Sequence, residues 1–281
     1  MRRRKRRFGM AGKAVIAGAG PAGLTCAIYL ARADWDVHVF TGEEMSMSCL
    51  AQASKVYNYP GFPDGIDGLD LLELFTRQAE NCGATIHPEA VACIDTESKV
   101  VLDSYNAKHP YDEVVMASGV RPREFACDGI ENIPVHMCAV CDGSLYGKDS
   151  SVVVIGGGDT AVNTALYLSG FVGKVYVVVR KDYMRATNRK IVDELVAMGN
   201  VDIRYLSNVV AVPEKGVVRL DNGGDLRADA LFPCIGFDVN EIATIGDGNV
   251  WKCGDCVEEH HQVAVAVGSG ARAALGIMGT V

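Results

Sequence analysis

The chain has 281 residues, 49% hydrophobic and 22% charged, which suits about two globular domains at roughly 100–200 residues each. A formal net charge of −8 argues against nucleic acid as the main ligand, since phosphate binding needs a basic face. No apolar run reaches the roughly 18 residues of a membrane span, and the ten cysteines are scattered rather than arranged as a secreted disulfide framework, so a cytoplasmic protein without a membrane partner is expected.

Residues 1–10, with a basic run over 2–7, read as a flexible solvated tail. An export signal would need an apolar stretch next, and Gly9, Gly12 and Lys13 interrupt it. Residues 13–17 predict a buried strand, 21–32 a helix and 37–40 the next strand, the βαβ opening of a doubly wound sheet. The glycines and prolines of 44–68 predict an extended loop. Apolar residues at helical spacing predict a helix over 69–81 that ends near Gly83, followed by strands at 84–87, 90–95, 100–102 and 113–117. Residues 118–122 read as a crossing between domains. A second βαβ then opens with a strand at 152–155, a helix at 159–170 and a strand at 175–179. A helix at 188–198 and strands at 201–205 and 230–235 continue it. Gly236 marks the return crossing, 251–255 re-enter the first domain, and 261–278 predict a helix of small residues. The expected fold is α/β, with two Rossmann-like, doubly wound, three-layer dinucleotide-binding domains. One (118–236) is inserted in the other (11–117 with 237–281).

The motifs fall on these elements. In Gly18-x-Gly20-x-x-Gly23, Gly18 permits the tight turn, Gly20 lets a pyrophosphate approach and Gly23 lets helix and strand pack. Pro21 and Ala22 open the helix, whose N-terminal N–H groups favour an anion. The acid expected for a ribose is absent from the strand end, and Glu43 is the nearest carboxylate. The second fingerprint, Gly156-x-Gly158-x-x-Ala161, includes Asp159 and Thr160 at its helix start. Arg180, Lys181 and Arg185 follow the next strand, where cations suit a 2′-phosphate and favour NADPH over NADH; Asp182 could instead bind a ribose hydroxyl. Between the fingerprints lies Cys138-x-x-Cys141. A CxxC can be a redox pair, half of a zinc site completed by Cys253 and Cys256, or a coincidence; beside βαβ units the redox reading leads, and no metal is expected. Asp142 adjoins it as a candidate general acid and base. Gly254 and Asp255 stand between a strand and the last helix, where the carboxylate could hold a ribitol hydroxyl. Two cradles imply two electron carriers, and the vicinal cysteines give the electrons a destination: nicotinamide to flavin to disulfide.

Across nearly its whole length the chain resembles the low-molecular-weight thioredoxin reductases of bacteria and archaea. The resemblance rests on Gly18–Gly23, Asn58-Tyr59-Pro60-Gly61-Phe62, Ala117-Ser118-Gly119, Cys138-Ala139-Val140-Cys141-Asp142-Gly143, residues 154–161, 180–186 and 231–236, Gly254-Asp255 and residues 262–274. It implies that the outer domain holds FAD through the first fingerprint, Asn58, Asp255 and Gln262, with Glu43, Gly254 and Val263 as neighbouring candidates. It implies that the inserted domain holds NADPH through the second fingerprint, Arg180 and Arg185, beside the candidate Lys181. Cys141 would be the flavin-proximal thiol, Cys138 the one that attacks a protein disulfide, and Asp142 the proton donor. Domain rotation, a homodimer and thioredoxin or a thioredoxin-like protein as partner are further implications.

The chain also departs from that family. The usual Gly-Gly-Gln-Leu reads Met47-Ser48-Cys49-Leu50, the usual His-Arg-Arg reads Val179-Arg180-Lys181, and His261 replaces an arginine. Residues 236–250 are shorter than usual, which puts the sheet edge and the electron donor in question. An alternative is therefore an FAD–dithiol oxidoreductase with another redox partner, driven by ferredoxin or a deazaflavin or working as a dithiol oxidase. A non-catalytic flavin- or zinc-binding redox sensor is a third reading.

Overall fold

Past its first residue, strand β1 (Lys13–Ala17) is an apolar run, Ala14–Ala17, with both faces covered, as is usual in a parallel sheet. Ala14 and Ile16 face one buried cluster and Val15 faces another. The structure, a computed structural model, describes residues 11–42, 48–53 and 55–279. The described chain forms two units. One runs to Arg121 and resumes at Val239, and the other is Pro122–Asp238.

In the first unit β1 leads through Gly18–Gly20 into helix α1 (Pro21–Ala31), whose proline sits where its missing N–H costs nothing. Strand β2 (Asp36–Phe40), helix α2 (Gly68–Asn81) and strand β3 (Thr85–His87) follow. Asp67 caps α2 by accepting from Leu69 N–H. Strands β4 (Val91–Asp95), β5 (Val100–Asp103) and β6 (Lys108–Pro110) form an antiparallel meander before β7 (Glu113–Met116). The chain leaves through β8 (Val120–Pro122).

The second unit repeats the plan. A short helix α3 (Ala139–Asp142) precedes β9 (Ser151–Ile155), α4 (Asp159–Ser169), β10 (Lys174–Val179), α5 (Arg189–Ala197) and β11 (Val201–Tyr205). A second meander, β12 (Val209–Glu214), β13 (Val217–Leu220) and β14 (Asp225–Arg227), comes before β15 (Ala230–Pro233). The parallel order is β11-β10-β9-β15. Val152 and Val154 pack on the helix side, Val153 and Ile155 on the meander side.

The chain returns through β16 (Phe237–Val239), which pairs with β8. Strand β17 (Ala243–Ile245) joins β4 in parallel, and β18 (Trp251–Lys252) completes the five-stranded parallel order β18-β7-β1-β2-β3 of the first unit. Helix α6 (Val263–Ile277) packs on α1 through a shared apolar cluster. Each unit thus has helices on one face of a parallel sheet and a meander on the other, the α/β architecture expected.

Expectation and structure differ locally. The last helix begins at Val263 rather than 261, because Gln262 is extended (φ −131°, ψ 141°). The short 237–250 segment still supplies β16 and β17, so the sheet edge in question is present. The meander at 209–227 and the strand at 108–110 were not anticipated. The basic tail and Glu43 lie outside the described residues.

Candidate active site

The second unit holds a disulfide. Cys138 and Cys141 are bonded, with Cα atoms 5.4 Å apart. Cys138 is extended and caps α3, its Sγ accepting from Cys141 N–H at 3.1 Å. Cys138 is 8% exposed, whereas Cys141 is open. Asp142 N–H donates to Cys138 O at 3.1 Å, and Asp142 Oδ2 lies 3.2 Å from His136 Nδ1. Sequence reasoning missed His136. Its only signal there was a titratable side chain two residues before the CxxC.

The second fingerprint is built by sterics. Gly156 has φ +140°, and a Cβ there would stand 2.3 Å from Cys234 O, so glycine is required. A Cβ on Gly158 would meet nothing within 4 Å. Gly158 is the N-cap of α4 and offers no side-chain cap, so the first N–H groups of α4 keep their capacity for an outside acceptor. Ala161 is fully buried against β9. The loop of cations is tied to this turn. Arg185 N–H donates to Gly157 O at 2.6 Å, and Asp159 Oδ1 accepts from Thr187 N–H at 2.8 Å. Arg180, Lys181 and Arg185 are exposed, and the ion pairs among the described residues leave all three out. Asp159 therefore closes the loop, and Thr160 is exposed at the first turn of α4.

The first unit repeats the cradle. A Cβ on Gly18 would stand 2.1 Å from Ala117 O, one on Gly23 1.9 Å from Gly18 O, and one on Gly20 would meet nothing within 4 Å. Gly20 caps α1 without a side-chain bond. Ala22, between Pro21 and Gly23, lies beneath Gly254, whose Cβ would stand 2.7 Å from Ala22 Cβ. Gly254 N–H donates to Ser269 Oγ on α6 at 3.1 Å, fixing the turn that carries Asp255. Asp255 Oδ1 is buried with no hydrogen-bond partner among the described residues, and burial holds its carboxyl above the usual range, His261 opposing and Glu258 adding. Asn58 Nδ2 donates to Gln262 Oε1 at 2.8 Å, so two residues far apart in sequence meet at the start of α6, beside Val263. Cys49 Sγ donates to Val120 O at 3.6 Å; burial, then the Asp255 carboxylate, pushes its thiol up to about 11, so it stays protonated.

Both cradles leave open space in front of an uncapped helix N-terminus, and the first adds an orphaned buried carboxylate oxygen. These features fit dinucleotides, the first a group that presents a hydroxyl to Asp255. Among the described residues no cluster of three or more His, Cys, Asp or Glu is placed to hold a metal ion. No helix among them is long and apolar enough to cross a membrane.

Comparison with known proteins agrees with this geometry. The profile of the pyridine nucleotide-disulphide oxidoreductases matches residues 12–270. The chain is 34% identical to NADPH-dependent thioredoxin reductase 3 of Arabidopsis thaliana, over 93% of this chain but only 56% of that protein. It is also 34% identical to the thioredoxin reductase of Borreliella burgdorferi, over 80% of this chain and 72% of the relative. The solved thioredoxin reductase of Lactococcus lactis superposes with a TM-score of 0.85, covering 95% of this chain and 98% of that one; at 24% identity it speaks for the fold. The chain belongs to the pyridine nucleotide-disulphide oxidoreductase family, among its low-molecular-weight thioredoxin reductases.

Proposed function

We propose that this chain is a thioredoxin-disulfide reductase: electrons pass from NADPH through FAD to Cys138–Cys141, and from that dithiol to the disulfide of thioredoxin or a thioredoxin-like protein. The observation that carries the reading is the Cys138–Cys141 disulfide in the same unit as a nucleotide cradle. FAD, when bound, takes an electron pair from the nicotinamide and supplies it to a disulfide. The residues that would hold it are Gly18, Gly20 and Gly23 at the pyrophosphate, Asp255 at a ribitol hydroxyl, and Asn58 and Gln262 beside α6. Arg180, Lys181 and Arg185 would hold the 2′-phosphate of NADPH. In this reading 11–117 with 237–281 form the FAD domain and 118–236 the NADPH domain, within a cytoplasmic homodimer.

The dithiol chemistry follows from the local contacts. Once the S–S bond is reduced, the Cys141 N–H that points at Cys138 Sγ favours a thiolate there, because a hydrogen bond to the charged form stabilises it. A thiolate on Cys138 attacks the acceptor disulfide, and Cys141 then displaces the reduced acceptor and restores the internal disulfide. Cys138 is the covered residue of the pair and Cys141 the open one, so the attack calls for a rearrangement that uncovers Cys138. Asp142 gives and takes the proton.

Anaerobic titration of the FAD-loaded protein tests the reading. NADPH should bleach the visible flavin band, and oxidised thioredoxin should restore it. Bleaching by dithionite but not by NADPH would transfer the function to a different electron donor. Failure to take up FAD would end it.

A further inference from the structure

Asp142 belongs to a chain of polar contacts. Its Oδ2 lies 3.2 Å from His136 Nδ1, and the opposite ring nitrogen, Nε2, lies 2.7 Å from the Tyr146 hydroxyl. The ring itself is fixed. Val135 bridges to Leu231, and His136 N–H donates to Leu231 O at 2.9 Å. The imidazole stacks on Phe232 of β15, centroids 5.4 Å apart and planes 29° from parallel, and meets the Tyr146 ring edge-on. The His136 side chain is 17% exposed. Burial, then Asp142, then Asp229, holds the Tyr146 phenol above its usual range, so it stays a hydroxyl. The groups that face His136 are thus Asp142 from α3 and Tyr146 after it, with Asp229 behind Tyr146; Phe232 is uncharged.

This geometry keeps every contact in more than one protonation state. An imidazolium donates to the carboxyl at Nδ1 and to the phenol oxygen at Nε2. A neutral imidazole keeps Nε2–H on Tyr146 while a protonated Asp142 donates to Nδ1. Alternatively it keeps Nδ1–H on the carboxylate while Tyr146 donates to Nε2. A ring held only for packing against Phe232 needs neither polar partner.

We propose that His136 is a positioning residue for the dithiol reaction, orienting the Asp142 carboxyl and refilling its proton. The proposal rests on the reading of Asp142 as proton donor. In the step, the Nδ1 proton of the His136 imidazolium passes to the Asp142 carboxylate, so an N–H breaks and an O–H forms. That O–H then breaks as an S–H bond forms on a thiolate of the dithiol, leaving a carboxylate and a neutral imidazole. The neutral imidazole keeps its Nε2–H on Tyr146 until solvent returns a proton. No electrons move. The net transfer runs from imidazolium to thiolate, ordinarily downhill because a cysteine thiolate is the stronger base by about two pK units.

The test is the pH profile of thioredoxin reduction by the FAD-loaded protein at saturating NADPH, for the native chain, His136→Phe, His136→Asn and Asp142→Asn. If the Nδ1 proton refills Asp142, the native rate should decline as pH rises, and the decline should depend on a protonatable ring at position 136. His136→Phe keeps the stack on Phe232, and His136→Asn keeps a donor near Asp142 without a titrating group. Both should lose that decline, with rates near the acid end lowered about tenfold to a hundredfold. A rate lowered by one factor at every pH, or a native profile in either variant, overturns the proposal. If His136→Phe does not fold, His136→Asn decides. Asp142→Asn separates the two readings: native turnover there removes the proton donor itself, whereas a slow Asp142→Asn beside a native His136→Asn profile removes His136 alone.

Discussion

Gly270 of α6 lies against the backbone of Ala22 in α1: a Cβ on Gly270 would stand 2.0 Å from the Ala22 carbonyl oxygen. The neighbour is backbone, so it cannot swing aside. The contact also seats Gly254 on Ala22 and so places Asp255. Gly270→Ala should destabilise the apoprotein by about 1–3 kcal/mol through overpacking and weaken FAD retention. Urea unfolding and flavin release measure both, and an unchanged midpoint would show that the two helices separate freely.

Asp255 should make the apoprotein pH-sensitive. Its carboxyl is raised mainly by burial, so the folded chain binds that proton more readily than the unfolded chain. The linked stability is highest below the ordinary aspartate value and falls as pH rises through the raised one. Asp255→Asn should remove this slope and leave the apoprotein more stable near neutral pH, while weakening FAD binding about tenfold to a hundredfold. Urea midpoints across pH and a flavin fluorescence titration check the two halves.

The second cradle should separate folding from binding. Gly158→Val has room, and should fold normally yet lose NADPH affinity. Gly156→Ala has neither room nor a suitable φ, and should cost more than about 1 kcal/mol of stability. Thermal melts beside NADPH titrations distinguish them. Equal melting losses in both variants would contradict the steric assignment.

Thiol counting isolates the redox pair. Of the ten cysteines, Cys138 and Cys141 are bonded to each other and eight are free. Denatured oxidised protein should titrate eight thiols, and protein reduced by NADPH with FAD should titrate ten. Cys138→Ser should titrate nine in both states and show no thioredoxin reduction. A gain of four in the native chain would mean that a second pair, such as Cys253 and Cys256, also cycles.

Both βαβ openings were legible in the sequence for one reason. A strand covered on both faces is an apolar run, and a glycine turn that carries φ +115° at Gly18 or +140° at Gly156 tolerates little else. The meander over 209–227 was hidden because register shifts between Val209 and Ala211, and again before Glu214, break the alternation that marks a strand. Asn58 and Gln262 came from family resemblance, and no local pattern announces a hydrogen bond between them. The ring contacts of His136 were invisible for a similar reason, since they depend on Val135 pairing with the remote Leu231. Cys49 is visible in the sequence as a departure from the family pattern; its protonated, buried state beside Asp255 is a product of packing.

The pairing of β8 with β16 leaves the two ends of Pro122–Asp238 side by side, with Arg123 N–H on Gly236 O at 2.9 Å. A segment anchored this way behaves as a cassette: removing it strands neither flank, and a short tether can bridge the gap. Because Cys138 and Cys141 travel inside this cassette, a graft between Arg121 and Val239 would have to bring its own dithiol along with its nucleotide reader.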